Sequence, residues 1–451
     1  MGCFIMTTHT STCLNRIVTY DILGDLKVKL TIQQNPFDIP LEDLFAMAAR
    51  INKKRSFLFV SKVLGKHIPI RPRKGILVGV LLAARYEEVV KEKYSQERET
   101  LVTQFMEEEP SIEIRPFIED GEGPVIIGFA ETATALGHAF FEAFTEAEFF
   151  HTTREWLEDE EPAITFEEEH SHATSHRAYV NEAILDRDRE IILVDDELTT
   201  GKTALNMIRS IQSKYPRSTY TVVSILDWRS DENVERFRLL EKELGITIHT
   251  VSLVKGTVEV EGEADVLGTE FEGPINTDTS QRVTFLPIQN PSLITFGENS
   301  PYTRFTGRFG LTAKVNQEAN EWFIEAGKLL AKMRNGSKTL VLGTGEYMYL
   351  PMKIAASMGD NVFYHSTTRS PIYPVTKENY GAQNRFSFVN PEESSVQNYV
   401  YNISRNQYDD IFIFFEKKVE KDSLQELLQQ LKTTKISNIN IVYLVEKGGE
   451  V

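Results

Sequence analysis

An apolar run that ends in two acidic residues and a glycine loop constrains the fold of this chain more than any other feature. The run reads Ile191-Ile192-Leu193-Val194, then Asp195-Asp196-Glu197-Leu198, then Thr199-Thr200-Gly201-Lys202-Thr203. Four consecutive aliphatic residues predict a strand that is buried on both faces, as the strands of parallel sheets are. Because ligands of such sheets bind at the carboxyl ends of the strands, the acidic pair marks a predicted site.

The residue types after the strand indicate which ligand this site would take. Side chains alternate in direction along a strand, so Asp195 or Asp196 can accept hydrogen bonds from a vicinal diol or hold a hydrated divalent cation. Residues 199–203 supply hydroxyl groups, a glycine able to take a positive φ angle and the N–H groups of a helix predicted from Ala204 to Ser213, which suits a phosphate group. Gly201-Lys202-Thr203 also looks like the end of a P-loop, but that motif requires a glycine at the position of Asp196. The pattern therefore predicts a sugar phosphate rather than ATP.

Length, charge and cysteine content exclude several classes of protein. The chain has 451 residues, of which 41% are hydrophobic, and this is enough for two or three globular domains. Its net charge of -17 argues against nucleic acid or an anionic membrane as a partner. The longest apolar run, Ile76 to Ala84, is too short to span a membrane, so a cytoplasmic location is expected. The two cysteines, Cys3 and Cys13, lie in a Thr-rich segment that is expected to be a disordered leader, residues 1–15, and no disulfide framework is predicted.

Predicted strands and helices alternate along most of the chain, which indicates an α/β fold with two doubly wound parallel-sheet domains. In the first stretch the predicted strands are 125–128, 148–151, 191–194 and 221–226, and the helices are 135–144 and 204–213. In the second stretch the predicted strands are 340–342, 362–365, 411–414 and 439–444. An antiparallel piece near 17–31, a helix from about 40 to 51 and a strand at 57–61 are expected to form a small hood over the first sheet. The expected domains are 16–255 with its hood, a linker or small β excursion at 256–300, and 301–451.

Polar residues of the second stretch match polar residues of the first, which predicts an internal duplication. Aligning VIIGFAETA from Val125 with LVLGTGEYM from Leu340 pairs Glu131 with Glu346. The segments HTTR and HSTTR then pair Arg154 with Arg369 at the same distance from each glutamate. Chance similarity between two α/β domains is the alternative.

Two further matches concern a pair of cations and the acidic pair. KVLGK, from Lys62 to Lys66, matches RFTGR, from Arg304 to Arg308. Each pair of cations is expected either to contact an anion or to lie solvated at a helix entry; Arg304 and Arg308 would line an independent anion site or complete the first one across a domain or dimer interface. The third match aligns the string from Ile191 to Thr203 with the segment from Ile411 to Ser423. In this second segment Phe415-Glu416 stands in place of the acidic pair, and the loop contains no glycine. The second domain is therefore a predicted degenerate repeat without a sugar-phosphate motif.

The string from Ile191 to Thr203 resembles the phosphoribosyl pyrophosphate (PRPP) motif of type I phosphoribosyltransferases. The resemblance implies that Asp195 and Asp196 contact the ribose hydroxyls, with Mg²⁺ bound indirectly through PRPP. It also implies that the loop residues Thr199, Thr200, Gly201, Lys202 and Thr203 bind the 5-phosphate. Thr199 stands where enzymes for 6-oxopurines have an Asp base, so the loop looks more like that of the orotate branch.

The loop Thr368-Arg369-Ser370-Pro371 extends the resemblance over nearly the whole chain after the leader. A phosphoribosyltransferase module followed by this sequence is similar to the bacterial phosphoribosyltransferases with a TRSP domain that are found with tellurium-resistance genes. This resemblance implies synthesis of a nucleoside-like metabolite under stress from PRPP and a nucleobase-like acceptor, with Mg²⁺ as cofactor. A homodimer is a further expectation.

The same family resemblance places a pyrophosphate loop after the strand at 125–128, at Ala130, Glu131, Thr132 and Ala133. The small and hydroxyl side chains suit an anion, but the carboxylate of Glu131 repels pyrophosphate unless Mg²⁺ or an arginine intervenes. Arg154 is the candidate partner of Glu131. A structural ion pair between the two residues is the alternative.

Three histidines, His170, His172 and His176, lie in an acid-rich segment that ends at Arg177. By the same resemblance the segment corresponds to a flexible loop that closes over the active site and excludes water. One of the histidines would then act as a general acid, and Arg177 would neutralise pyrophosphate. A transition-metal site at His172 and His176, or a solvated acidic loop, remains an alternative.

The residues together favour a phosphoribosyltransferase that forms, or cleaves with pyrophosphate, an N-glycosidic bond. A regulator that binds PRPP or a nucleotide without turnover is the second hypothesis, and Glu131 favours it. A scaffold is the third hypothesis, which the degenerate second domain fits.

Overall fold

The structure is a computed structural model that describes residues 16–51, 56–119, 121–157, 160–167, 175–264, 281–296 and 300–446. The predictions for the leader 1–15, for His170 and for His172 fall outside these residues.

The first domain surrounds a mostly parallel sheet. Its strands are β1 Arg16–Leu23, β2 Leu26–Gln34, β3 Phe45–Ala49, β4 Phe57–Ser61, β5 Val125–Gly128, β6 Glu148–His151, β7 Ile164–Glu167, β8 Ser175–Ala178, β9 Ile191–Leu198, β10 Thr219–Asp227 and β11 Thr247–Glu261. Its helices are α1 Leu41–Leu44, α2 Pro72–Val89, α3 Arg98–Met106, α4 Ala133–Phe141, α5 Lys202–Lys214 and α6 Asp231–Leu244. The sheet has the order β1-β2-β11-β10-β9-β5-β6 and then β15, Leu311–Thr312, from the second domain.

Strand β9 lies in the middle of this sheet, as its apolar run predicts. It pairs in parallel with β10 on one side and β5 on the other, and Ile191, Ile192, Leu193 and Val194 are fully buried. Parallel pairing of β5, β6, β9, β10 and β11 brings the carboxyl ends of these strands to one edge of the sheet. The doubly wound parallel sheet of the prediction is confirmed.

The N-terminal hood differs from its prediction in two respects. The predicted helix from about 40 to 51 is only four residues long, because the chain becomes extended at Phe45 and β3 pairs antiparallel with β4. Residues of β3 are buried on both faces, and the N–H of Ala49 donates to the hydroxyl of Tyr380 in the second domain. Tertiary pairing therefore overrides the local helical pattern. In addition, β1 and β2 extend the main sheet, and β3 and β4 alone form the hood.

The second domain contains a smaller sheet that is parallel throughout. Its strands are β12 Arg282–Asn290, β13 Leu293–Phe296, β14 Ser300–Thr303, β15, β16 Thr339–Gly343, β17 Val362–Ser366, β18 Arg385–Asn390, β19 Glu393–Tyr401, β20 Asp410–Phe415 and β21 Asn438–Glu446. Its helices are α7 Ala313–Ala331, α8 Tyr349–Ala355 and α9 Gln425–Leu431. The sheet order is β12-β21-β20-β16-β17, whereas β13–β14 and β18–β19 form separate hairpins. A second parallel sheet is thus present, and the internal duplication stays a prediction.

Strands of the predicted linker, residues 256–300, belong to both sheets. Strand β11 continues to Glu261 because it pairs with β2, and β12 begins at Arg282 beside β21. Parts of the segment that suggested a linker therefore belong to strands of the two sheets, an inner strand in the first sheet and an edge strand in the second.

The two domains pack against each other through edge strands and a common core. Strand β15 pairs antiparallel with β6, so that Leu311 lies opposite Phe149. Ile70, ahead of α2, bridges Tyr364 in β17, and one hydrophobic cluster includes residues of both domains. Among the described helices, none is both long and apolar enough to cross a membrane.

Candidate functional site

The acidic pair lies at the carboxyl end of β9, where the strand leaves the core. Val194 is fully buried, whereas Asp195, Asp196 and Glu197 are partly exposed. The backbone N–H of Asp196 donates to Oδ1 of Asp195 at 2.9 Å. The two carboxylates are thereby presented at the edge of the sheet where ligands of parallel sheets bind.

The loop after β9 has the predicted glycine conformation. Gly201 has a φ angle of 69°, and α5 begins at the next residue, Lys202. A Cβ atom at Gly201 would lie 2.5 Å from the ring of Phe237, so the position also lacks room for a side chain. Oγ1 of Thr200 accepts a hydrogen bond from the N–H of Lys202 at 3.4 Å. The loop therefore leads directly into a helix N-terminus, which favours an anion.

The predicted pyrophosphate loop connects β5 to α4 and is tied to the neighbouring strand. The N–H of Ala130 donates to Oγ1 of Thr152 at 2.9 Å, and Nζ of Lys66 lies 2.5 Å from Oγ1 of Thr132. Ala133 is the first residue of α4. Lys66, from the basic segment, thus reaches this loop as a cation next to its hydroxyl.

Glu131 is buried in that loop, and its surroundings differ from the prediction. Its Oε2 atom lies 3.8 Å from Nζ of Lys66 and accepts a hydrogen bond from Oγ1 of Thr368 at 3.3 Å. Its Oε1 atom is buried and has no hydrogen-bond partner among the described residues. Arg154, the predicted partner of Glu131, lines a different cavity, and its backbone N–H donates to the carboxylate of Glu346 at 2.8 Å.

One cavity of about 180 Å³ brings several of these groups together. Its walls come from the acidic pair and phosphate loop, the pyrophosphate loop, the basic segment, the hood and the second domain. They include Asp196, Glu197, Thr199, Thr132, Lys66, His67, Arg50, Leu58, Phe59, Ser61 and Ser370. We call this cavity the motif cavity.

Among the residues that line the motif cavity, Arg50 and Ser370 were not predicted as site residues, and His67 belongs to the basic segment beside Lys66. His67 is buried, and its Nε2 atom has no partner among the described residues. Burial, with Lys66 beside it, holds the pKa of His67 well below its usual range, so the imidazole is neutral at pH 7. The basic segment and the TRSP loop are signals that point to His67 and Ser370. Arg50 has no local signal, because only the fold of the hood brings it here.

Other predicted residues lie outside the motif cavity. Nζ of Lys62 donates to the backbone oxygen of Glu42 at 2.8 Å, and Arg304 is exposed. His176 is fully buried, stacks on Phe166 with ring centroids 5.0 Å apart and lies 3.2 Å from Oγ1 of Thr152. Its position is that of a packed residue in the β7–β8 hairpin rather than of a side chain facing the acidic pair.

Arg154 and Arg177 line a second cavity, which lies between the domains. Their position follows from the pairing of Thr153 with Arg177, which fixes the β7–β8 hairpin beside the end of β6. Nη1 of Arg177 donates to the backbone oxygen of Arg154 at 3.0 Å, and the guanidinium lies over the ring of Trp156. The structure does not bring these two arginines together with Asp195 and Asp196.

Arg308, Glu346 and Arg369 surround the same second cavity. Arg308 is buried and lies 2.8 Å from Glu155, 3.3 Å from Glu416 and 3.6 Å from Glu346. Burial raises the pKa of Glu155, but Arg308 and Lys417 outweigh this effect and hold the pKa at about 2. Arg369 forms an exposed ion pair with Glu393 at 2.8 Å.

The donor types of the motif cavity fit Mg²⁺ better than a transition metal. The described residues contain no group of three or more His, Cys, Asp or Glu side chains arranged to hold a metal ion. Asp196 and Glu197 place carboxylate oxygens on the wall of the motif cavity, and such oxygens are hard ligands, of the kind Mg²⁺ uses together with substrate phosphates. Mg²⁺ would therefore be held indirectly, with a bound phosphate substrate supplying part of its coordination.

Several solved structures are similar to this chain at low identity. Adenine phosphoribosyl transferase from Trypanosoma brucei, in complex with AMP, pyrophosphate and ribose-5-phosphate, is 11% identical, with 50% of this chain and 82% of that chain covered and a TM-score of 0.31. Adenine phosphoribosyltransferase from Leishmania tarentolae is 14% identical, with 47% and 84% covered and a TM-score of 0.28. Orotate phosphoribosyltransferase from Aeropyrum pernix is 14% identical, with 46% and 85% covered and a TM-score of 0.23. A search of curated proteins found no match.

Two family models match the chain in succession. The model described as "Phosphoribosyl transferase" matches residues 44–257, which include β9 and its loop. The model described as "TRSP domain C terminus to PRTase_2" matches residues 305–431, which include the loop from Thr368 to Pro371. Residues 44–257 thus belong to the phosphoribosyltransferase family, a family of pentosyltransferases, and residues 305–431 form the TRSP domain that follows the transferase domain in that family.

Proposed function

We propose that this protein transfers a phosphoribosyl group from PRPP, with Mg²⁺, to a nucleobase-like acceptor, or catalyses the reverse pyrophosphorolysis. The observation that carries the proposal is the motif cavity, which Asp196, Thr199, Thr132 and Lys66 line together. These four residues come from the acidic pair, the phosphate loop, the pyrophosphate loop and the basic segment. The proposal includes synthesis of a nucleoside-like metabolite in tellurium resistance, which rests on the TRSP sequence alone.

PRPP presents a ribose diol and a 5-phosphate, and the β9 end offers groups for both. The carboxylates of Asp195 and Asp196 accept hydrogen bonds from the two ribose hydroxyls. Residues 199–203 and the N-terminus of α5 provide N–H groups, threonine hydroxyls and Lys202 for the 5-phosphate. The positive φ angle of Gly201 allows the loop to lead directly into α5, and the assignment of the 5-phosphate to this loop depends on that conformation.

The pyrophosphate group would lie against the loop that follows β5. The hydroxyl of Thr132 and the ammonium group of Lys66 face the motif cavity, and both suit phosphate oxygens. Mg²⁺, when bound, supplies positive charge that offsets the carboxylate of Glu131 and the charge of the departing pyrophosphate.

In the proposed reaction the bond between C1 of the ribose and the pyrophosphate oxygen breaks, a bond from C1 to an acceptor nitrogen forms, and the proton of that nitrogen passes to the departing pyrophosphate or to solvent. Positive charge develops on the sugar, and the carboxylates of Asp195 and Asp196 stabilise it electrostatically. The apolar side chains of Leu58 and Phe59 in the hood exclude water from the same cavity. Neutral His67 offers a hydrogen bond from Nε2 to the acceptor or to the sugar.

The test combines PRPP and Mg²⁺ with a panel of nucleobase-like acceptors and follows pyrophosphate release by phosphorus NMR. We expect release with at least one acceptor, and a loss of at least about a hundredfold in kcat/KM in the Asp195→Asn/Asp196→Asn protein. Each substitution removes a charge-assisted hydrogen bond worth about 1.5–3 kcal/mol. Together the two losses correspond to at least about a hundredfold in kcat/KM. The matched control is Asp360→Asn, at an exposed position of the second domain, which should retain wild-type rates.

The geometry of Glu131 also favours a second candidate, a PRPP-binding regulator without turnover. A buried carboxylate in the pyrophosphate loop opposes ordinary handling of the leaving group. Tight PRPP binding without release for every acceptor would overturn the enzyme and support the regulator. Absence of PRPP binding in calorimetry would overturn both.

A further inference from the structure

The second cavity lies between the domains and has the position of a ligand site. Its volume is about 420 Å³, and we call it the interdomain cleft. Thr344 to Tyr347 follow β16, Arg369 follows β17 and Glu416 follows β20, and all three segments line it. The carboxyl ends of parallel strands in an open sheet are the place where ligands bind.

One of the residues that line this cleft has a buried hydroxyl without a hydrogen-bond partner among the described residues. Tyr347 lines the cleft and is only 3% exposed, and its hydroxyl has no hydrogen-bond partner among the described residues. Buried tyrosine hydroxyls usually find a partner. The hydroxyl of Tyr347 is therefore available to a polar group of a small molecule in the cleft.

The backbone around the cleft repeats the construction of the motif cavity. The N–H of Gly345 donates to Oγ1 of Thr367 at 2.9 Å, just as the N–H of Ala130 donates to Oγ1 of Thr152 at 2.9 Å. In the motif cavity this contact orients the loop that we assign to pyrophosphate. The loop after β16 is oriented in the same way.

The charged pairs of the two cavities also correspond. Arg308 lies 3.6 Å from Glu346, and Lys66 lies 3.8 Å from Glu131. The glycine before each cation has a positive φ angle, 85° for Gly307 and 72° for Gly65. The cleft thus shares a cation, an acid and a turn with the motif cavity, although it lacks the acidic pair of β9.

Each domain contributes to the cavity of the other through a threonine. Oγ1 of Thr368 in the second domain donates to Glu131 at 3.3 Å, and Oγ1 of Thr153 in the first domain donates to Glu346 at 2.5 Å. Ser370 lines the motif cavity, and Glu155 lines the interdomain cleft. The cleft is therefore built by both domains, as the motif cavity is.

The chemistry of the lining defines the class of ligand. Besides Arg308, the described lining residues include four cations, Arg154, Arg177, Arg369 and Lys417, of which Lys417 is paired with Glu155. Five glutamates line the same cleft, and carboxylates accept hydrogen bonds from hydroxyl groups. We propose that the interdomain cleft is a second small-molecule site, which binds an organic phosphate that carries hydroxyl groups, such as a sugar phosphate.

Arg369 is the cation best placed to turn toward such a phosphate. Its ion pair with Glu393 is solvent-exposed, with 34% and 51% of the two side chains accessible, and exposed pairs contribute little to stability. A phosphate can therefore replace Glu393 as its partner. Arg308, by contrast, is committed to three glutamates and maintains the floor of the cleft.

The test measures binding of ribose 5-phosphate to the full chain by calorimetry and by phosphorus NMR. We expect two sites in the wild-type protein and one in Asp195→Asn/Asp196→Asn. In that background, Arg369→Gln and Tyr347→Phe should each weaken the remaining site by about tenfold, since each removes one direct donor. Arg405→Gln, an exposed substitution in the same domain, is the matched control and should leave binding unchanged.

The site assignment is overturned if Asp195→Asn/Asp196→Asn binds no ribose 5-phosphate, or if Arg369→Gln and Tyr347→Phe both bind it with unchanged affinity. Failure of the proposed PRPP site in the motif cavity, on which the transferase function depends, has a different signature. In that case the wild-type protein would bind one ribose 5-phosphate, and the affinity would respond to Arg369→Gln but not to the aspartate substitutions. The inference does not depend on turnover at the motif cavity.

Discussion

At the scale of single residues, Gly201 shows how one backbone conformation determines what the phosphate loop can do. Its φ angle of 69° lies in the left-handed region, and its Cα faces the ring of Phe237. Any side chain would strain the backbone and displace the ring. The position therefore requires glycine for two independent reasons.

We expect Gly201→Ala to lower the free energy of unfolding by about 2 kcal/mol, the usual cost of a non-glycine residue in a left-handed conformation. It should also weaken PRPP binding, because the loop N–H groups shift. Urea denaturation and calorimetry measure the two effects. Gly245→Ala is the control, since Gly245 also has a positive φ angle of 66° but no atom within 4 Å of an added Cβ. Equal PRPP affinity of the two variants would contradict the role of the loop.

At the scale of elements, the loop that follows β17 links the two cavities. Thr368 contacts Glu131, Arg369 lines the interdomain cleft and Ser370 lines the motif cavity. The backbone of Thr368 pairs with Tyr399 in β19, which holds the loop in place. The TRSP sequence is thus an interdomain connector that completes the motif cavity.

We expect Thr368→Val to raise the KM for PRPP by roughly threefold to tenfold, with a smaller effect on kcat. Loss of this neutral donor to a buried carboxylate costs about 1 kcal/mol and changes the position of the pyrophosphate loop. Steady-state kinetics measure the change, and Thr368→Ser should restore the wild-type KM because it keeps the hydroxyl. Thr376→Val, at an exposed position, is the control. An unchanged KM in Thr368→Val, or an equal rise in KM in the serine and valine variants, would contradict the role of the hydroxyl.

At the scale of the whole molecule, buried charges join the two domains. Arg308 of the second domain contacts Glu155 of the first, and Lys417 lies 2.6 Å from the same carboxylate. These cations hold the pKa of Glu155 at about 2, well below the ordinary value of about 4.3. A group with a lowered folded-state pKa stabilises the fold above its unfolded-state pKa and loses that contribution as the pH falls through the folded-state pKa.

We therefore expect the free energy of unfolding to fall between about pH 4.5 and pH 2, with Glu155 contributing to the slope. Glu155→Gln should be less stable at pH 7 and should show a shallower fall in this window. Urea denaturation at a series of pH values measures both effects, with Glu325→Gln on the exposed face of α7 as the control for loss of one charge. If the free energy of unfolding of Glu155→Gln fell with pH as steeply as that of the wild-type protein, the assigned contribution of Glu155 would be contradicted.

The hydrophobic pattern predicted most of the central strands of both sheets, because burial on both faces produces a local run of apolar residues, but it missed β11 and β12. Val125–Gly128 and Glu148–His151 coincide with their predictions, and the run at Ile191 is the central strand. The helix near Pro40 was wrong beyond Leu44, because pairing with β4 and contact with the second domain decide the conformation of β3. Local periodicity contains no information about such distant partners.

The features of the candidate site also fall into two groups, those that the local sequence determines and those that depend on tertiary packing. The acidic pair, the phosphate loop and the conformation of Gly201 follow from one continuous string, because strand, turn and helix start are local properties. The placement of Arg154 and Arg177 in the interdomain cleft, and of Lys66 and Ser370 at the motif cavity, was decided by the tertiary structure alone. Sequence spacing identifies residues suited to bind anions, whereas the packing of one domain against the other determines which anion each of them can reach.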